Sequence, residues 1–196
     1  DGNPLMKKIP VKIIEFSDGD RMVQEVMIDL IDTMQLEGDP GEQIEDFRNS
    51  YFDFVKKVKT LFYGSEQSKK KKRQTLPSSV YYRVGELFQK FNNEIKNRFE
   101  ITNYTEAISR DFGLSIDYHY DISTIVQVFK KNQIIDSVPF SYYRALKRKR
   151  SDLEKSDLFQ KEIKRLNKMG LENALPGREK YKLELIEIIK KSSTSL

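Results

Sequence analysis

Residues 80–99 read VYYRVGELFQKFNNEIKNRF, and the spacing of their apolar side chains decides the fold class. Val80, Val84, Leu87, Phe88, Phe91, Ile95 and Phe99 recur every three or four residues. A helix brings such positions onto one face, whereas a strand would scatter them over both. The stretch therefore predicts a helix of about 20 residues that buries one side. The same rhythm continues upstream. Ile44, Phe47, Tyr51, Val55, Val58 and Phe62 predict a helix that starts after the breaker Glu37-Gly38-Asp39-Pro40-Gly41 and stops at Gly64. Before it, Val23, Val26, Met27, Leu30, Ile31 and Met34 predict a helix over about 19–36, with Ser17 or Asp18 as its N-cap. Downstream, residues 102–112 predict a short helix closed by Gly113. Three more are expected over 140–150, 156–169 and 178–191, the last two separated by Gly170 and Pro176-Gly177.

Two segments depart from this period. Residues 9–16 (IPVKIIEF) are short and β-branched, and Pro10 suits an edge strand. From Leu114, the residues Ile116, Tyr118, Tyr120 and Ile122 alternate with Ser115, Asp117, His119 and Asp121, which is strand spacing. Pairing 9–16 with 114–120 would satisfy both. Asp121 equally suits the start of a helix through Ile125, Val126 and Phe129. The expected fold is mainly α, a bundle of six to eight helices with at most one minor two-stranded β pairing. Residues 1–131 are expected to form a helical core domain, and 132–196 a basic helical extension packed on it.

A chain of 196 residues, 38% hydrophobic and 11% aromatic, is large enough to build a core without staples. The absence of cysteine excludes disulfides, thiolate nucleophiles, Cys-ligated zinc and iron–sulfur clusters. No run approaches the roughly 20 apolar residues of a membrane span, and the first residues lack the basic flank and apolar stretch of a signal peptide. A first residue Asp1 rather than Met suggests a fragment of a longer chain or the remnant of a tag. The motifs of nucleophilic serine, zinc-dependent, P-loop and dinucleotide chemistry are all missing, and a single histidine removes most catalytic triads. Asp117, His119 and Asp121 would share one face of a strand, as metal ligands must. Ligands so closely strung along a flat strand fit tetrahedral geometry poorly, and an ordinary polar outer face explains them. Neither an enzyme, nor a cofactor, nor a metal is expected.

Charge is more informative. Residues 1–50 carry five basic and twelve acidic side chains, whereas 141–196 carry fifteen and eight. Lys69, Lys70, Lys71, Lys72 and Arg73 form a run within a stretch (64–79) that has no apolar rhythm. Such a run, exposed and mobile in a loop, suits an import receptor lined with carboxylates. Lys147, Lys149, Arg148 and Arg150, with Arg144 one turn earlier, fall in a predicted helix, where consecutive charges spread around the circumference. They are the candidates for contacting nucleic-acid phosphates. Tyr81, Tyr82, Tyr118, Tyr120, Tyr142 and Tyr143 could stack on bases, but most of the chain's aromatics sit on apolar stripes, which favours core packing.

Val80, Arg83, Val84, Leu87 and Phe88, following two amphipathic segments, resemble the third helix of the paired amphipathic helix repeat of corepressors. The resemblance spans at most residues 20–100. Its apolar spacing is what any bundle helix requires, the basic loop departs from the compact repeat, and 101–196 has no counterpart in it. The expected function is a non-enzymatic protein-interaction or scaffold module, in the nucleus rather than the cytoplasm. A protein partner is expected and a membrane is not. The alternative is direct DNA or RNA binding through the basic C-terminal helices.

Overall fold

Pro40 opens the first long helix, where a missing N–H and a fixed φ are tolerated, and Gly64 closes it with φ 73°. The structure, a computed structural model, describes residues 30–31, 40–64, 76–101 and 104–193. Helix α1 spans Pro40–Tyr63 and α2 spans Ser78–Arg98. Their stripes face each other, as their spacing requires. Phe54 stacks on Phe91 with ring centroids 4.2 Å apart, and Phe47 meets Phe99 edge-on at 5.1 Å. Offset and edge contacts of this kind add to the area that the rings bury.

The chain continues through α3 (Tyr104–Asp111), which Gly113 ends with φ 59°. Then come α4 (Ile116–Ser123), α5 (Ile125–Val128) and a single 3-10 turn at Lys131–Gln133. Helices α6 (Phe140–Arg148), α7 (Arg150–Glu154), α8 (Phe159–Leu171) and α9 (Arg178–Ser193) complete it. One continuous set of buried apolar side chains runs from Leu30 to Leu185. The fold is mainly α. No strand occurs among the described residues, and no helix among them is long and apolar enough to cross a membrane.

The strand expected over 114–120 is therefore a helix. Ser115 decides it, because its Oγ accepts from the Tyr118 N–H at 3.2 Å and caps α4. The alternation misleads because α4 turns two polar residues inward: His119 and Asp121 are buried, whereas Ile116 and Tyr120 are exposed. Its expected partner, 9–16, lies outside the described residues, as does the basic run 69–73. Of the helix expected over 19–36 only Leu30 and Ile31 are described; both are helical, and Leu30 is buried.

Gly85 lets α2 touch the next layer, since a Cβ there would meet the Ile122 carbonyl oxygen at 2.5 Å and Ile125 Cγ2 at 2.8 Å. The turn between α5 and α6 is tied down from several directions. Ser78 Oγ donates to the Val138 carbonyl at 2.5 Å. The Asp136 carboxylate accepts from the Ser79 N–H at 2.8 Å and from its hydroxyl at 3.0 Å, which caps α2 from a distant part of the chain. Tyr143 accepts from the Ile135 N–H at 3.0 Å and donates to Asn167 at 2.7 Å.

Candidate functional site

Arg144, Lys147 and Arg148 occupy positions i, i+3 and i+4 of α6, which share one face of a helix. All three reach the same carboxylate. Arg144 donates through Nε and Nη2 to Asp121 Oδ2 at 2.7 and 2.6 Å. Arg148 Nη2 donates to that oxygen at 2.8 Å. Lys147 Nζ takes Oδ1 at 2.8 Å and also donates to Thr124 Oγ1 at 2.7 Å. Burial raises the Asp121 pKa, but the hydrogen bonds from Lys147 and Arg144 outweigh it, so the carboxyl lies below its ordinary range. Burial lowers the Lys147 pKa, and Asp121 opposes that, while the neighbouring Arg148 and Arg144 add to it.

Two tyrosines of α4 complete the arrangement. The Arg144 guanidinium lies 4.4 Å from the Tyr118 ring centroid, and Lys147 Nζ lies 4.9 Å from that of Tyr120. Lys147 is nearly enclosed, its side chain 8% exposed, while Arg148 remains 57% exposed. The other basic candidates diverge. Lys149 ends α6 and is half-buried. Arg150 Nε donates to Glu154 at 2.7 Å, with its guanidinium 6.0 Å from the Phe159 ring. The run does not spread evenly around a helix: its first half turns inward onto Asp121, and α6 ends before its last residue. Lys69 to Arg73 lie outside the described residues.

The aromatic candidates are mostly spent on the fold. Tyr82, Tyr142 and Tyr143 are buried, and their hydroxyls bond the Phe129 carbonyl, the Pro176 carbonyl and Asn167 respectively. Tyr81 stacks on Phe140 at 4.4 Å. Tyr120 alone among the six faces solvent.

A helix at 116–123 also disperses the residues weighed as metal ligands. Asp117 is exposed, Asp121 is held by cations, and His119 is buried beneath Phe88, with centroids 4.6 Å apart. Ser109 Oγ donates to the Thr105 carbonyl at 2.6 Å and stands 2.9 Å from His119 Nδ1. With its one proton given to Thr105, the hydroxyl accepts from Nδ1–H, which leaves Nε2 buried without a partner among the described residues. Burial lowers the imidazole pKa to about 4. Among the described residues, no cluster of three His, Asp or Glu could hold a metal.

Sequence reasoning passed over Asp121 as the centre of the site. The available signal was the i, i+3, i+4 spacing of Arg144, Lys147 and Arg148, three cations on one helix face with no acid beside them in α6. Comparison of the chain with protein-family models, curated proteins and solved structures finds no match, so the likeness of residues 80–88 to a paired amphipathic helix gains no support there.

Proposed function

We propose that the chain is a non-enzymatic protein-interaction or scaffold module that acts in the nucleus. What carries this reading is that the buried ionisable side chains of the described fold are spent on the fold itself. His119 is sealed in the core with its charged form disfavoured. Asp111 is buried and receives the Tyr51 hydroxyl at 3.0 Å and Lys59 at 3.2 Å. Asp121 is saturated by three cations, and Glu162 is held by Arg165 at 2.6 Å. Groups fixed in this way cannot shuttle protons or attack a substrate, whereas a rigid helical frame can present surface. The nuclear assignment rests on the sequence of Lys69 to Arg73.

The test is affinity capture with the full chain as bait from nuclease-treated nuclear extract. Recovery of a stoichiometric protein partner supports the reading; recovery of import receptors alone counts against it. Direct phosphate binding through Arg144, Lys147, Arg148, Lys149 and Arg150 is the second reading. It is favoured by the excess of cations over carboxylate around Asp121. It requires detectable binding to generic duplex at low salt that falls steeply as salt rises.

A further inference from the structure

Helix α4 turns an unusual mixture outward. Ile116 and Tyr120 stand one turn apart on the same face, 53% and 62% exposed. A β-branched aliphatic and a tyrosine side by side in water form an apolar surface that the fold leaves open. Beside Tyr120 lies the cation cluster, and its charges do not balance. Arg144, Lys147 and Arg148 together grip one carboxylate, so two positive charges lack a counter-ion within the cluster. Both arginines lean on the same oxygen, Asp121 Oδ2. Arg148, 57% exposed, bonds through Nη2 to Asp121, the residue that follows Tyr120 in α4, and has further guanidinium donors to offer.

We infer that Ile116, Tyr120 and Arg148 form the docking surface for an acidic segment of a partner protein, which places a carboxylate on Arg148 and an apolar side chain against Ile116 and Tyr120. This rests on the interaction-module reading and gives it a surface. Charge selects the occupant: a second carboxylate supplies the anion that the cluster lacks, and a guanidinium binds it bidentately. Tyrosine and arginine together are the side chains that most often dominate protein interfaces. A phosphate backbone fits less well, because it needs several outward cations in a row. Here Lys147 is enclosed and Arg144 is committed to Asp121 and Tyr118, which leaves Arg148 as the one outward cation of the cluster.

The experiment is selection of a phage-displayed random peptide library on the full chain, followed by fluorescence anisotropy with synthetic copies of the enriched peptides. Enriched sequences should combine Asp or Glu with Leu, Ile or Phe. Their Kd should weaken at least tenfold for Tyr120→Ala and for Arg148→Glu, and stay unchanged for Lys164→Glu on the exposed side of α8. Arg148→Ala leaves Arg144 and Lys147 on Asp121 and keeps the test readable should charge reversal lower stability. No enrichment, enrichment of non-acidic peptides, or equal affinity for wild type and variants overturns the inference. A single-stranded oligo(dT) 20-mer that binds and is lost with Arg148→Ala overturns it in favour of nucleic acid. A partner captured from nuclear extract that ignores these variants leaves the module reading standing and removes this surface.

Discussion

Lys147 Nζ lies 2.8 Å from Asp121 Oδ1 and 4.9 Å from the Tyr120 ring centroid, so one buried ammonium joins α6 to α4 through both a carboxylate and a π face. The pairing holds three cations in place at once. Asp121→Asn keeps the shape and removes the charge, which leaves the cations facing one another. Breaking a buried ion pair by removing one partner typically costs about 3–5 kcal/mol, and that loss is expected in urea denaturation. Asp53→Asn, in an exposed pair with Lys57, should change stability by less than about 1 kcal/mol.

The sealed His119 makes stability depend on pH in a defined window. In the unfolded chain the imidazole takes its proton near 6.5, and in the folded protein only near 4. Between those values the unfolded state binds more protons, so stability is complete above about 6.5 and is lost as pH falls toward 4. The size of the loss is on the order of 3 kcal/mol. His119→Gln should flatten the wild-type curve in this window. A variant with the same slope as wild type would show that the imidazole does not cause it.

Gly85→Ala and Gly177→Ala should separate sharply. A methyl at 85 drives into the Ile122 backbone oxygen and Ile125, whereas one at 177 meets nothing within 4 Å among the described residues. Overpacking of this kind costs about 1–3 kcal/mol, which outweighs the helix propensity gained. The change at 177 should stay within about 0.5 kcal/mol of wild type. Paired thermal melts read both.

Phe88 is fully buried among Phe54, Phe112 and His119. Phe88→Ala should cost about 3–5 kcal/mol through lost burial and the cavity left behind. Replacing Lys69 to Arg73 with serine should change stability by less than about 1 kcal/mol and reduce nuclear accumulation of a fluorescent fusion. A large fall in melting temperature for the serine variant would show that the run is docked on the fold.

These contrasts also explain which features could be read in the sequence. The stripe Val84, Phe88, Phe91, Ile95 and Phe99 is buried as its spacing predicts, because α2 packs its apolar side chains against others and the pattern contains the whole cause. Gly64 and Gly113 end their helices with positive φ for an equally local reason. Residues 114–122 misled because the inward positions of α4 are polar. His119 and Asp121 tolerate burial only through partners ten to twenty-seven positions away, Ser109, Arg144, Lys147 and Arg148. No window on α4 contains them. The break between α6 and α7 at Lys149 was equally hidden, since nothing at that position forbids a continuous helix.

The cap on α2 has a consequence for how the protein is made. Ser78 donates to Val138, sixty residues later, and Ser79 relies on Asp136. During synthesis, the start of α2 leaves the ribosome long before the groups that satisfy it exist. At about 5–20 residues per second, that interval is on the order of 3–12 s. For those seconds the first turn of α2 can only fray into water, and the apolar stripe it carries is presented to whatever chaperone stands at the exit. Closure of this helix is therefore tied to the arrival of the 134–139 turn, and a pause in translation before residue 136 would prolong the vulnerable state without any change in the finished fold.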